Sequence, residues 1–184
     1  MSNTLADSII ANMKAADLRY IVTVPDSTTR SLQRVWRSDP YFRVVPACHE
    51  GEAIAVGCGL WIAGRRAMVV MENAGLFQAG ETLRAMAIDM QIPLVMGVSY
   101  LARPQPNLSL DAMIEKEEKH VGGPATHKVQ QGWMTEPWLR FWNVPYVIVD
   151  APEGAAAVQW AVTKAVEVKG PVALIFDQAV GDFR

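Results

Sequence analysis

Apolar positions along this chain follow two rhythms. Leu5, Ile9, Met13 and Ala16 recur at helical spacing behind a possible N-cap at Ser2, Asn3 or Thr4, and the apolar run Tyr20 to Val24 that follows is stopped by Pro25. A helix followed by a strand is expected, and the pair repeats. The pattern predicts helices at about Thr28 to Trp36, Glu50 to Ala63 and Leu76 to Ala87, interleaved with strands at Phe42 to Pro46, Ala67 to Met71 and Pro93 to Val98. After an interruption it resumes with a helix near Glu136 to Trp142, a strand at Tyr146 to Val149, a helix from Pro152 to Val168 closed by Gly170, and a strand at Val172 to Phe176. Runs such as AMVVM, YVIV and PVALIF do not alternate polar with apolar, as expected of strands covered by helices on both faces. The expected fold is α/β: one three-layer domain over residues 1–184, with a core from about residue 4 to residue 178 and a mostly parallel sheet between helices.

The interruption runs from Ser99 to Trp133, about 35 residues broken by Pro104, Pro106, the Gly122-Gly123 pair and Pro124. It reads as a long loop, with Leu110 to Lys119 as a short helix and the charges of EKEEKH as a solvated face.

Composition narrows the function classes. A net charge of −2, with 20% charged and 51% hydrophobic residues, describes a globular enzyme-like chain and offers no electrostatic footprint for nucleic acid. No apolar run reaches membrane-spanning length, and the start MSNTLADSIIANMK lacks the basic-then-apolar order of a secretory leader. Cys48 and Cys58 have no metal-ligand spacing and read as reduced thiols, which points to the cytoplasm.

The segment His49-Glu50-Gly51-Glu52-Ala53-Ile54-Ala55-Val56-Gly57-Cys58-Gly59-Leu60 opens a helix of small side chains with an acidic residue. Taken alone, a carboxylate in a first helical turn complements the helix dipole. Three further segments accompany it: Val24-Pro25-Asp26-Ser27, Met71-Glu72-Asn73-Ala74-Gly75-Leu76 and Gln91-Ile92-Pro93-Leu94. In this order and at these spacings the four together resemble the pyrimidine-binding domain of the thiamine-diphosphate-dependent sulfopyruvate and phosphonopyruvate decarboxylases, over about Thr4 to Gln178.

That resemblance implies roles. The glutamate matching Glu50 hydrogen-bonds a ring nitrogen of the cofactor's aminopyrimidine and so activates it, which makes Glu50 both the catalytic and the cofactor-binding candidate, with Glu52 as its rival. Asp26 is a second catalytic candidate and, with Ser27, faces the substrate; the alternative for both is a helix N-cap. Asn73, Gly75, Leu76 and Gln78 are expected to line the cofactor cleft, although Glu72 stands where the family more often has glutamine, and Phe77-Gln78 where it has Gly-Asn. Arg103 and His127, the latter in Pro124-Ala125-Thr126-His127-Lys128, are candidates to bind an anionic substrate tail; solvated surface is the alternative.

No metal site is expected in this chain. The family's Gly-Asp-Gly segment, which holds Mg2+ and the diphosphate, is represented only by Gly181-Asp182. The resemblance therefore implies a partner, a β subunit carrying the diphosphate-binding domain, in a hetero-oligomer that decarboxylates a small anionic 2-oxo acid to an aldehyde. A carboligase on the same scaffold and a non-catalytic flavodoxin-like binding module are the competing readings.

Overall fold

A computed structural model describes residues 5–177. The N-cap candidates Ser2, Asn3 and Thr4, and Gln178, Gly181 and Asp182, lie outside the described residues. The first half alternates as the pattern predicts: α1 Leu5–Ala15, β1 Tyr20–Thr23, α2 Arg30–Ser38, β2 Arg43–Pro46, α3 Glu50–Ile62 and β3 Ala67–Glu72. The stretch expected as one helix from Leu76 is instead α4 Asn73–Gln78, a single turn α5 Gly80–Thr82, and a π-helical run Leu83–Ile88. Then come β4 Leu94–Ser99, α6 Leu110–Val121, α7 Thr126–Phe141, β5 Tyr146–Val149, a 3-10 segment Pro152–Ala156, α8 Ala157–Val168 and β6 Pro171–Phe176.

The six strands form one sheet in the order β2-β1-β3-β4-β6-β5, and every pairing is parallel. Successive side chains in a strand point to opposite faces, and both faces are covered. On one, Met68, Val70, Val95, Val172 and Leu174 pack under α1, α2 and α8; on the other, Val69, Met71, Met96, Val98 and Ile175 pack under α3, α4, the π-helical run and Leu139 of α7. This two-sided burial is why the strands read as unbroken apolar runs.

The expected loop at 99–133 is mostly helical. Ser109 caps α6 by accepting from the Ala112 amide at 3.2 Å, and Gly122 closes it in the left-handed region at φ 69°. Residues 126–141 then form one helix that starts ten residues before the expected Glu136 and contains Pro137. Gly132 and Pro137 look like breakers in the sequence, but Gly132 is there for contact: a β-carbon on it would lie 1.8 Å from the Ala102 carbonyl oxygen. The helix rests directly on the backbone turn that follows β4. Another local difference is that Lys169 (φ 51°), not Gly170, takes the left-handed conformation that ends α8.

Chain order places the site. From β1 the chain steps outward to β2 and then returns across β1 to β3, so the direction of winding reverses between β1 and β3. Open α/β sheets hold ligands in the crevice outside the carboxyl ends of strands at such a reversal.

Candidate active site

Three carboxylates reach that crevice from different elements. Asp26 lies just beyond β1, Glu72 is the last residue of β3, and Glu50 is the first residue of α3, which follows β2.

The two rivals at the start of α3 have different surroundings. His49 is the N-cap and accepts from the Glu52 amide through Nδ1 at 3.1 Å, while the Glu52 carboxylate accepts from the Cys48 amide at 2.6 Å. This is a capping-box arrangement reaching one residue further back, and it occupies Glu52 in capping the start of the helix. Glu50 turns the other way and lies against Gly75, where a β-carbon would come within 2.3 Å of Glu50 Cγ and Oε1. Among the described residues no hydrogen bond holds the Glu50 carboxyl group.

Glu72 is half-buried. Burial pushes its carboxyl above the ordinary glutamate value, the charges of Asp26 and Glu50 push the same way, and Lys128 opposes them. Asp26 and Glu72 lie at the carboxyl ends of β1 and β3, and Glu50 packs against Gly75 just after β3, although among the described residues no three acidic, histidine or cysteine side chains are arranged to hold a metal. Glu72 was only a departure from the family pattern in the sequence. Its place as the final residue of a buried strand is the signal that marks it.

Asp26 holds the turn that leads into α2, whose N-cap is Thr29. Its Oδ1 accepts from the Thr29 amide at 2.9 Å and its Oδ2 from the Thr29 hydroxyl at 2.7 Å, closing the turn before α2, yet its charge is felt at Glu72. Ser27 is exposed in that turn.

The cofactor candidates after β3 separate. Gly75 is the floor beneath Glu50, whereas Leu76 is fully buried in the core. Asn73 is also fully buried, and its side-chain amide donates to the Leu101 carbonyl at 3.0 Å and the Thr135 hydroxyl at 2.9 Å, tying the start of α4 to the turn after β4 and to α7. Gln78 is exposed at the end of α4. Among the described residues, three buried polar atoms near these strand ends have no hydrogen-bond partner: Thr23 Oγ1, Asn73 Oδ1 and Ser99 Oγ, the last directly in register with Glu72. Unpaired polar atoms are costly to bury, and each calls for an explanation such as strain, a bound water or ion, or a functional role.

The loop cations do not converge. Arg103 Nη1 is held by Asp150 at 3.0 Å and Asp177 at 2.5 Å, joining the ends of β4, β5 and β6. It borders a cavity of about 470 Å3 lined also by Pro104, Met113, Lys116 and Glu117. His127 is exposed on the first turn of α7, in a separate groove with Phe77, Met134 and Trp138. Lys128, its neighbour, is ion-paired with Glu117, and its charge opposes the rise at Glu72.

The pyrimidine end of thiamine diphosphate fits these residues. The Glu50 carboxyl group has no hydrogen bond among the described residues and so is open to a ring nitrogen, and the missing side chain at Gly75 leaves the space that Glu50 itself occupies.

No protein-family profile matches the chain. It is 30% identical over 95 residues to the sulfopyruvate decarboxylase subunit alpha of Methanothermobacter thermautotrophicus, covering 52% of this chain and 58% of that one. The chain is similar to the sulfopyruvate decarboxylase α subunits. The subunit alpha of Methanocaldococcus jannaschii aligns more fully, at 22% identity over 166 residues, 90% of this chain and 88% of the relative. Among solved structures, benzoylformate decarboxylase from Polynucleobacter necessarius superposes with a TM-score of 0.69 at 21% identity, over 98% of this chain and 31% of the other. The chain thus spans about three fifths of the first sulfopyruvate decarboxylase relative and under a third of the solved enzyme. The structural likeness is one of fold.

Proposed function

We propose that this chain is the pyrimidine-binding α subunit of a heteromeric thiamine-diphosphate-dependent decarboxylase. Its substrate is a small anionic 2-oxo acid of the sulfopyruvate or phosphonopyruvate kind, and its products are carbon dioxide and an aldehyde. The observation that carries this reading is the asymmetry at the start of α3: Glu52 is engaged by the helix cap, while Glu50 lies over Gly75 with no hydrogen bond among the described residues.

Thiamine diphosphate, when bound, supplies the electron sink that lets carbon dioxide leave. Glu50 hydrogen-bonds the pyrimidine and exchanges a proton with it. Asp26, held by Thr29, orients the substrate rather than moving freely. The substrate's anionic tail is met by Lys128 or Arg103, each of which then exchanges its protein carboxylate for the sulfonate or phosphonate oxygens of that tail.

A β subunit holds Mg2+ and the diphosphate and completes the other wall of the cleft. The assembly works in the cytoplasm, where Cys48 and Cys58 stay reduced. The names of the relatives, each a subunit alpha, support a second chain.

The test is calorimetric titration with thiamine diphosphate and magnesium, alone and with a partner carrying Gly-Asp-Gly, paired with turnover of several 2-oxo acids. Weak binding and no turnover are expected from the isolated chain, and tight binding and turnover should appear together on mixing. Full activity without a partner would overturn the half-site reading.

A further inference from the structure

At the opposite end of the sheet, where the strands begin, the chain gathers arginines. A cavity of about 440 Å3 is lined by Asp17, Arg19, Tyr20, Arg43, Gly64, Arg65 and Arg66, so four guanidinium groups share it with one carboxylate. They arrive from three places in the sequence and are fixed side by side by strand pairing. The Arg43 amide donates to the Arg19 carbonyl at 2.9 Å and the Tyr20 amide to the Arg66 carbonyl at 3.3 Å, which puts Arg19, Arg43 and Arg66 at the starts of three adjacent strands.

Two of the four are pre-oriented. The Arg19 guanidinium lies 4.7 Å from the Tyr41 ring centre and 3.5 Å from Asp17, and Arg66 Nη1 donates to the Ala16 carbonyl at 2.9 Å. Arg43 and Arg65 are exposed and have no carboxylate partner among the described residues.

The preceding helix ends offer a plainer account, because α1 and α3 both finish at this edge and cations near helix C-termini are favourable. That effect fades within a turn and does not require four like charges to converge on one cavity in a chain of net charge −2. Like charges held together on rigid strands repel, and an anion with several negative oxygens relieves the repulsion. Arginine forks match phosphate oxygens in pairs, and the cavity is of ligand size.

We propose that this amino-end cavity is a binding site for a small anion carrying two or more linked phosphates, the class that includes pyrophosphate and nucleoside diphosphates. The site is separate from the Glu50 crevice and does not rest on the decarboxylase reading.

The experiment is titration of the full chain with metal-free pyrophosphate and with ADP, followed by calorimetry and by amide chemical shifts, with sulfate at matched ionic strength as control. Saturable binding is expected, with the largest shift changes at Asp17 to Tyr20, Arg43 and Gly64 to Arg66. Affinity should fall about tenfold or more in the Arg43→Ala/Arg65→Ala double variant, as expected for losing two charge-assisted contacts. Three results would each overturn the proposal: no saturable binding, shifts confined to the Glu50 crevice, or sulfate binding as tightly as pyrophosphate. The shift map decides the matter even if the double variant folds poorly.

Discussion

The two ends of the parallel sheet carry opposite chemistry. Beside the reversal at the carboxyl ends of β1 and β3 lie Asp26, Glu50 and Glu72, with Lys128 acting on Glu72; the cavity at the amino ends of β1, β2 and β3 is lined, among the described residues, by Arg19, Arg43, Arg65 and Arg66 with the carboxylate of Asp17. Parallel topology sets the direction of this bias, since every crossover helix starts near the carboxyl edge and finishes near the amino edge, and helix ends favour opposite charges. It does not account for the degree. Glu52 satisfies the helix start in the ordinary way, as a cap, whereas Glu50 has no hydrogen bond among the described residues, and Glu72 holds a proton more tightly than an ordinary glutamate because of its burial and then of the charges of Asp26 and Glu50. What exceeds the helix-end requirement at either edge is what points to a ligand.

The sharpest way to break this comparison is at α3. Glu50→Gln in the assembled enzyme should fold and assemble normally yet lose about 10²-fold to 10⁴-fold in turnover, the range for removing a positioned acid or base. Glu52→Gln should leave turnover near wild type, its main effect being on helix-cap stability, about 0.5–2 kcal/mol by chemical denaturation. The reverse pattern would sink the assignment.

Gly75→Ala should come next, because its methyl group meets Glu50 at 2.3 Å. A loss of about 1–3 kcal/mol in stability is expected for overpacking of this kind, together with a fall in turnover as Glu50 is displaced. A variant with unchanged denaturation midpoint and unchanged activity would mean that Glu50 does not need that space.

Replacing Lys128 or Arg103 by alanine should mainly raise KM for an anionic 2-oxo acid, with little change in kcat, if the cation holds the substrate's tail equally in ground and transition states. Steady-state kinetics of both variants separate the crevice cation from the strand-end clamp. Unchanged KM in both would assign each to its carboxylate partners alone.

The smallest effect is on stability against pH. A raised Glu72 pKa means that the folded chain binds this proton more tightly than the unfolded one, so Glu72 costs stability once pH exceeds its folded-state pKa, and the cost vanishes below the unfolded carboxylate range. Glu72→Gln should therefore raise Tm by about 2 °C at pH 7, the scale of a small stability change in a chain of this size, and by nothing measurable at pH 3. Thermal scans across that range check it; an equal gain at both pH values would point to packing instead of charge.

Much of the fold was legible in the chain because each buried strand is a continuous apolar run and each covering helix has its own period. Helix α7 was not, since Gly132 and Pro137 carry the local marks of a break, and only the backbone of Ala102 against Gly132 shows why a glycine sits within a helix there. Of the candidate site, Glu50 and Asp26 were visible in short motifs. The environment of Glu72 was not, because it depends on charges 46 and 22 residues away in the chain, at Asp26 and Glu50. Arg103 and His127 looked like one binding set by their nearness in sequence, and the fold sends them to different cavities.

By itself the sequence determined the alternation of helices and strands, the two-sided burial of the sheet, and a glutamate at the start of a small-residue helix. These are properties of neighbouring residues, and local sterics and hydrophobic period settle them. Which carboxylate is left unengaged, which glycine makes room for it, and which four arginines meet at the far edge were decided by the tertiary structure alone. They depend on strand order and register, which bring together residues whose separation along the chain carries no sign of their contact.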